Sequence, residues 1–321
     1  MNITVLDDYQ NVVNTLSCFE LLSKYQVSVL TNILAEDELI ARLQDTEALV
    51  LIRERTVITE RLLAHLPKLK VISQTGKVSN HLDVALCEKY GVQVLEGQGS
   101  PIAPSELCWA LIMAASRHIP AYTANLKSDH WQNSGELGLG RTLSGLTLGI
   151  WGYGKIGQRI AQYAKAFDMS VLVWGSDSSR ELAVEHGFTA AESKALFFSA
   201  ADVLSLHLRL NEATKACVTS EDLGLMKPDS LFVNTSRAEL VEPSALFDTL
   251  RSVPTKRAAI DVFEREPASL KNEPLLSLPN VTATPHLGYV EQQSYELYFR
   301  CAFENLLAFE SGLAKQEPNH D

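Results

Sequence analysis

The chain has 321 residues, 46% of them hydrophobic and 21% charged, a length and balance that support about two globular domains, each with its own core. Its 28 basic and 39 acidic residues leave a net charge of −11, which argues against a nucleic-acid or anionic-membrane partner. No apolar run is long enough to span a bilayer, and the opening MNITVLDDYQ is a short strand followed by acids rather than a signal peptide.

The five cysteines, Cys18, Cys87, Cys108, Cys217 and Cys301, are scattered, odd in number and never in a CxxC pair. They exclude a disulfide framework, give no metal site, and fit a reducing cytoplasmic setting. In the first hundred residues, Ile3–Leu6, Val27–Leu30, Ala48–Ile52, Val71–Gln74 and Val92–Leu95 read as buried strands. Helical patterns alternate with them near Val13–Lys24, Glu36–Arg42, Thr59–His65 and Leu82–Lys89. This alternation predicts a parallel, doubly wound sheet. A glycine-containing break covers Glu96–Ser100, a long apolar helix Pro101–His118, and an irregular excursion Asn125–Arg141.

A second alternating series starts at Leu146. Its strands are Leu146–Trp151, Ser170–Trp174, Val203–Leu208, Ser230–Asn234, Arg257–Val262 and Val281–Ala283. Its helices include Lys155–Phe167, Arg180–His186, Lys194–Phe198, Glu221–Met226 and Ser244–Ser252, and a helix near Val290–Phe309 closes the chain. The predicted fold is therefore α/β, with two doubly wound parallel sheets as two lobes, and ligands at the carboxyl ends of the strands. No appended regulatory domain is expected after the closing helix.

The first strand of the second series runs directly into Gly152-Tyr153-Gly154-Lys155-Ile156-Gly157, and an amphipathic helix follows. Strand, glycine turn and helix in that order form a dinucleotide fingerprint. Gly152 permits the tight turn, Gly154 lets a pyrophosphate approach the backbone, and Gly157 lets helix and strand pack closely. The helix N-terminus then faces the phosphates with free N–H groups and a positive dipole end.

Three later strands end in reactive side chains. Asn234-Thr235-Ser236-Arg237 offers a guanidinium fork suited to a carboxylate. Asp261-Val262-Phe263-Glu264-Arg265-Glu266-Pro267 fixes a carboxylate before a proline. Thr284-Pro285-His286-Leu287-Gly288 places an imidazole beside proline and glycine, suited to proton transfer. Singly, each has a plainer reading: a surface ion pair, a solvated acid, a structural histidine. Together they match what hydride transfer to a 2-oxo acid requires. Arg237 would hold the substrate carboxylate, His286 would protonate the carbonyl oxygen, and Glu266 would keep His286 protonated.

GYGKIG, HLRLNEAT, NTSRAELVE, DVFEREP and TPHLG, in that order, resemble the D-isomer-specific 2-hydroxyacid dehydrogenase family. LIRERTVIT near 51–59 and ISQTGKVSNHLD near 72–83 are less specific matches. The resemblance implies a Rossmann nucleotide domain, residues 101–286, inserted in a flavodoxin-like substrate domain made of 1–100 and 287–321. It implies a homodimer assembled through the nucleotide domain. It assigns substrate orientation to Arg237, acid/base work to His286 and support of that histidine to Glu266. It places Asp261 and Thr235 toward the nicotinamide and ribose and His207 near the adenine end, and it counts Ser236 and Thr214 among the cofactor-binding residues. Gly76, Lys77 and Val78 fall where backbone N–H groups hold a substrate carboxylate. Arg53 and Arg55 fall in a stretch that faces larger or phosphorylated acids, or else form salt bridges in a charged loop.

Three departures bear on specificity. Gly175 stands where NAD-preferring members carry an acid, with Asp177 two residues late and Ser176, Ser178 and Arg180 able to reach a 2′-phosphate. NAD and NADP both stay open, NAD by a narrow margin. Ala238 replaces the usual glycine after Arg237, and Val78-Ser79 replace a more glycine-rich loop. The expected activity is hydride transfer between NAD(P) and a small D-2-hydroxy or 2-oxo acid, of the glyoxylate/hydroxypyruvate-reductase or 3-phosphoglycerate-dehydrogenase kind. A formate-type dehydrogenase and a dinucleotide-sensing corepressor-like protein are the alternatives. The first needs no proton donor to a carbonyl, and the second would bind cofactor without turnover.

Overall fold

The computed structural model describes residues 1–312, divided into two compact units. Met1–Ser100 and the segment from Val290 onward form unit 1, and Pro101–Tyr289 forms unit 2. The chain returns to unit 1 at Val290 rather than at Leu287, because the N–H groups of Leu287 and Gly288 are both held by Asp261 of unit 2. Residues 313–321 of the expected substrate domain lie outside the described residues.

Unit 1 is built from β1 (Asn2–Val5), β2 (Gln26–Val29), α1 (Glu36–Arg42), β3 (Ala48–Leu51), α2 (Glu60–Ala64), β4 (Val71–Gln74), α3 (Val84–Lys89) and β5 (Gln93–Leu95). All its strand pairs are parallel, in the order β2-β1-β3-β4-β5. β3 and β4 are buried at every position, as central strands covered on both faces must be. Thr59 and Asp83 start α2 and α3 by accepting the N–H groups of Leu62 and Leu86.

Unit 2 continues with α4 (Ile102–Ser116), α5 (Ile119–Leu126), β6 (Thr147–Trp151), α6 (Lys155–Ala166), β7 (Ser170–Trp174), α7 (Asp177–Glu185), β8 (Thr189–Ala190), α8 (Lys194–Ala200), β9 (Val203–Leu206), α9 (Ser220–Leu225), β10 (Leu231–Asn234), α10 (Ala245–Ser252), β11 (Arg257–Ile260) and β12 (Val281–Ala283). Its seven parallel strands run β12-β11-β10-β9-β6-β7-β8, so the order reverses between β6 and β9. The last helix, α11 (Gln292–Glu310), belongs to unit 1. There Ser73 Oγ donates to the Ala302 carbonyl at 2.9 Å, and Phe299 and Phe303 are fully buried.

Four local expectations are corrected. Val13–Lys24 is two 3₁₀ turns, Val13–Thr15 and Ser17–Leu22, because Leu16 between them is extended at ψ 140°. The helix expected over Pro101–His118 stops at Ser116. His118 is left-handed at φ 53° and turns the chain into α5, which extends into the supposed excursion. α7 begins at Asp177 rather than Arg180, since the Ser176 hydroxyl caps it by accepting Ser179 N–H. β8 is a two-residue edge strand too short to show as a pattern.

Candidate active site

The glycine turn lies where the strand order of unit 2 reverses, which is where doubly wound sheets bind ligands. Gly152 has φ 98°, and a β-carbon there would lie 2.4 Å from the His207 carbonyl oxygen. Turn geometry and close approach both demand glycine. A β-carbon on Gly157 would lie 2.2 Å from the Gly152 carbonyl oxygen, so α6 can sit this close to β6 only without a side chain. Gly154, at the N-cap of α6, has no atom within 4 Å of the place a β-carbon would occupy. The turn is therefore packed beneath Gly152 and Gly157 and open above Gly154, as a pyrophosphate at a helix N-terminus requires.

The neighbouring side chains divide sharply. Lys155 is exposed and Ile156 packs on the core. Tyr153 is buried at 2% exposure, with its hydroxyl 3.1 Å from His186 Nδ1, so the turn presents only its backbone at that position. The half-buried His207 ring sits 3.0 Å from Ser205 Oγ, and desolvation pushes its pKa down to about 4. That ring is neutral at physiological pH. Thr214 closes its own loop, donating to the Arg209 carbonyl at 2.6 Å and accepting from Asn211 N–H at 2.9 Å.

At the end of β7, Gly175 has φ 156° and a β-carbon there would meet Ser179 at 3.3 Å. An acidic side chain is disfavoured by conformation and by space. Ser176 is occupied by capping and by the hydroxyls of Ser178 and Ser179. Arg180 pairs with Asp177 and stacks over the Trp174 ring at 5.0 Å. Both charges that bear on cofactor choice thus stand together on the first turn of α7.

Arg237, Glu266 and His286 follow β10, β11 and β12, three adjacent parallel strands. Asn234 builds the first loop. Its amide donates to the Arg237 carbonyl at 2.8 Å and its oxygen accepts Ser236 N–H at 3.0 Å. Ser236 Oγ ties that loop to the Leu206 carbonyl of β9 at 2.7 Å. Thr235 is half-buried, with its hydroxyl beside the Cys108 thiol. Glu266 Oε2 lies 2.7 Å from His286 Nδ1, and Oε1 accepts Phe263 N–H at 3.1 Å. A carboxylate only accepts, so Nδ1 carries a proton and Nε2 is the ring nitrogen turned away from Glu266.

His286 is itself left-handed, at φ 53°. Asp261 holds it there. Its Oδ1 accepts Thr284 Oγ1–H at 2.6 Å and Leu287 N–H at 2.7 Å, and its Oδ2 accepts Gly288 N–H at 2.9 Å. Burial raises the Asp261 pKa, against the lowering pull of these donors and of His286. This brace is a contribution that the spacing of Asp261 and His286 in the sequence does not reveal. Tyr289, also unremarked in the sequence, packs edge-on to the His286 ring at 5.6 Å.

In unit 1, Arg53 is left-handed at φ 54°, and its guanidinium lies against Gly76, where a β-carbon would come 2.0 Å from Nη1. Its N–H donates to Thr75 Oγ1 at 3.1 Å and its carbonyl accepts Gln74 Nε2 at 2.9 Å. Arg55 is directed elsewhere: to the Asp7 carbonyl at 2.6 Å, the Tyr295 hydroxyl at 3.3 Å and the face of Tyr9. Lys77 pairs with Glu96 at 2.9 Å, and Val78 N–H is also taken by Glu96 at 2.7 Å. Of the three N–H groups expected to face a carboxylate, those of Gly76 and Lys77 have no partner among the described residues. Among those residues there is also no group of three or more His, Cys, Asp or Glu able to hold a metal ion, and no helix long and apolar enough to cross a membrane.

Residues 109–288 match the family model described as D-isomer specific 2-hydroxyacid dehydrogenase, NAD binding domain. Two curated relatives are a D-3-phosphoglycerate dehydrogenase of Methanocaldococcus jannaschii and a glyoxylate reductase of Thermococcus litoralis. The first is 35% identical over 264 residues, 82% of this chain but only 49% of that protein, so this chain spans about half its length. The second is 33% identical over 285 residues, 85% of this chain and 83% of that one. A solved structure named as a phosphoglycerate oxidoreductase from Vibrio cholerae O395 shares 64% identity and a TM-score of 0.96, covering 97% of this chain and 99% of its own. The matched segment runs from within α4 through the glycine turn and Arg237, Glu266 and His286, and the chain belongs to the D-isomer specific 2-hydroxyacid dehydrogenase family.

Proposed function

We propose that the protein transfers hydride between NAD(P) and a small D-2-hydroxy or 2-oxo acid. The observation that carries this is the 2.7 Å Glu266–His286 pair beside the Arg237 loop, on three adjacent strand ends of the unit that holds the glycine turn. When bound, the dinucleotide supplies or accepts the hydride at C2. In the reducing direction His286 Nε2 delivers a proton to the carbonyl oxygen. Glu266 orients the ring through Nδ1 and balances its charge. Arg237 holds the carboxylate and stabilises charge developing on the adjacent oxygen.

The substrate class extends from glyoxylate and hydroxypyruvate to a 3-phosphoglycerate-like acid, which Arg53 would favour. Gly175 leaves room for NADP as well as NAD, while Asp177 beside Arg180 moderates the attraction for a 2′-phosphate. The assay is a spectrophotometric screen of glyoxylate, hydroxypyruvate, pyruvate, longer 2-oxo acids and 3-phosphohydroxypyruvate with NADH and NADPH. Oxidation of either cofactor supports the assignment. Cofactor binding with no turnover on any acid overturns it in favour of a dinucleotide sensor.

We further propose a homodimer formed through unit 2. Trp131 and Leu139 are 77% and 89% exposed on the segment after α5, the kind of apolar surface that a second copy would cover. Sedimentation of the wild type beside Trp131→Asp tests this, and a monomeric wild type refutes it. The five free thiols are compatible with the cytoplasm as the place of action.

A further inference from the structure

Ser205 is a hydroxyl in an apolar place. It is the third residue of β9 and fully buried, with Ile150 of β6 and Val233 of β10 beside it in register. Leu148, Val203, Leu231 and the Cys108 side chain of α4 fill the same core. A hydroxyl buried there must find its hydrogen bonds within the fold. Ser205 Oγ has two partners among the described residues, Cys108 Sγ at 3.4 Å and His207 Nε2 at 3.0 Å.

Where the serine proton goes decides the form of His207. An imidazole nitrogen is a far better acceptor than sulfur. The proton therefore goes to Nε2, and the thiol proton can point at Ser205 Oγ. The reverse arrangement, with Nε2–H donating to Ser205, directs the serine proton onto sulfur. The His207 ring is neutral at physiological pH, because burial pushes its pKa down to about 4. A bare Nε2 then leaves the ring's one proton on Nδ1. Nδ1 makes no hydrogen bond among the described residues, yet it is not a buried orphan as His118 Nε2 is, so its N–H is open to a ligand. The backbone fixes where that ligand lies. His207 N–H donates to the Trp151 carbonyl at 2.8 Å, and the His207 carbonyl oxygen lies 2.4 Å from the place a Gly152 β-carbon would occupy. The residue stands beside the glycine turn, where the strand order reverses between β6 and β9.

We propose that Ser205 is a positioning residue for the dinucleotide: its hydroxyl fixes His207 as the Nδ1–H tautomer, and that outward N–H donates to an oxygen of the bound cofactor. The other tautomer would turn a lone pair toward the same oxygen and repel it. This role presupposes the dinucleotide reading of the glycine turn.

The tautomer is read by magic-angle-spinning NMR of the full-length protein carrying isotope-labelled histidine, with the His207→Gln spectrum subtracted to isolate one ring among the eight. The wild type should show a protonated Nδ1 and a bare Nε2, and Ser205→Ala should lose that single form. The same variant should raise the Kd for NADH or NADPH, whichever the wild type binds more tightly, by about three- to tenfold. Its KM for that cofactor should rise with kcat near wild type. Cys108→Ala opens a similar small gap in the same core but leaves the serine–histidine bond, and it should change neither the tautomer nor the Kd. His207 in the Nε2–H form overturns the proposal. So does a wild-type Kd in Ser205→Ala, or an equal loss in Cys108→Ala, which would make the effect one of core packing. A wild type that binds neither cofactor overturns the dinucleotide reading itself, and the role of Ser205 with it.

Discussion

Replacing Asp261 with Asn tests whether this acid acts by bracing His286. The carboxylate accepts three hydrogen bonds at 2.6, 2.7 and 2.9 Å, and Asn has one acceptor oxygen. If that oxygen takes the Oδ1 position, Thr284 and Leu287 keep their partner and the new NH₂ faces Gly288 N–H. The loss is one charge-assisted bond, about 1.5–3 kcal/mol, plus an orphaned N–H at about 1–3 kcal/mol. The substitution also removes a buried charge whose desolvation already raises the Asp261 pKa, which offsets part of both. The net stability change should then be only about 1–3 kcal/mol. Activity should suffer more. Gly288 lies two residues from His286, whose own N–H donates to the Thr284 carbonyl at 3.0 Å, and a displacement near 1 Å at a catalytic group lowers rate by about 10²-fold. The assay is kcat and KM for the best 2-oxo acid, with cofactor Kd by fluorescence. The expected result is kcat down by about 10²-fold with cofactor Kd within about threefold of wild type. A kcat near wild type in a folded variant would refute the bracing role. An unchanged kcat with a large loss of cofactor affinity would show that Asp261 acts on the nicotinamide instead.

His286→Ala should lower turnover by about 10²–10⁴-fold while cofactor binding stays near normal, and full turnover would sink its acid/base assignment. Gly157→Ala drives a methyl to 2.2 Å from the Gly152 carbonyl; thermal melts should show a loss of about 1–3 kcal/mol, and NADH titration a weaker complex. Arg180→Ala should reduce kcat/KM for NADPH more than for NADH, and an unchanged ratio would leave Arg180 as a partner of Trp174 and Asp177 alone. For His207, the folded pKa of about 4 lies below the ordinary value of 6.5. A depressed pKa contributes stability that is present above pH 6.5 and is lost as pH falls toward 4. That loss amounts to up to about 3 kcal/mol. His207→Gln should flatten the acid side of the stability curve between those two pH values, and an identical slope in denaturant titrations would refute the linkage.

The fold was legible where local chemistry and tertiary packing agree. β3, β4, β9 and β10 are buried at every position, and each is a short, mostly apolar run bounded by turn residues. Thr59 stands at a helix start and caps it through its hydroxyl. The failures share another origin. Leu16 and His118 interrupt helical patterns through single backbone conformations, and neither is a glycine or proline that would announce the break. β8 exists only because β7 has an open edge for it, which is a property of the assembled sheet.

The candidate site shows the same boundary at the scale of single atoms. Gly152, Gly157, Arg237, Glu266 and His286 stand out in the sequence because their chemistry is tied to residue type and to position after a strand. What each neighbour does depends on which hydrogen bonds folding has already filled. Tyr153 and Val78 stand within motifs, yet the first is buried and the N–H of the second is occupied by Glu96. Arg53 and Arg55 are two residues apart in one loop, yet one lies on Gly76 and the other is drawn to Asp7, Tyr9 and Tyr295. Asp261 reaches the His286 loop only because β11 and β12 are paired in register, Ile260 against Ala283. That register sets a carboxylate opposite Thr284 and the two N–H groups after His286. The proposed catalytic set is thus encoded at two levels. The candidate groups are fixed by residue identity, and their mutual geometry is fixed by a strand pairing that joins residues 26 and 27 positions apart.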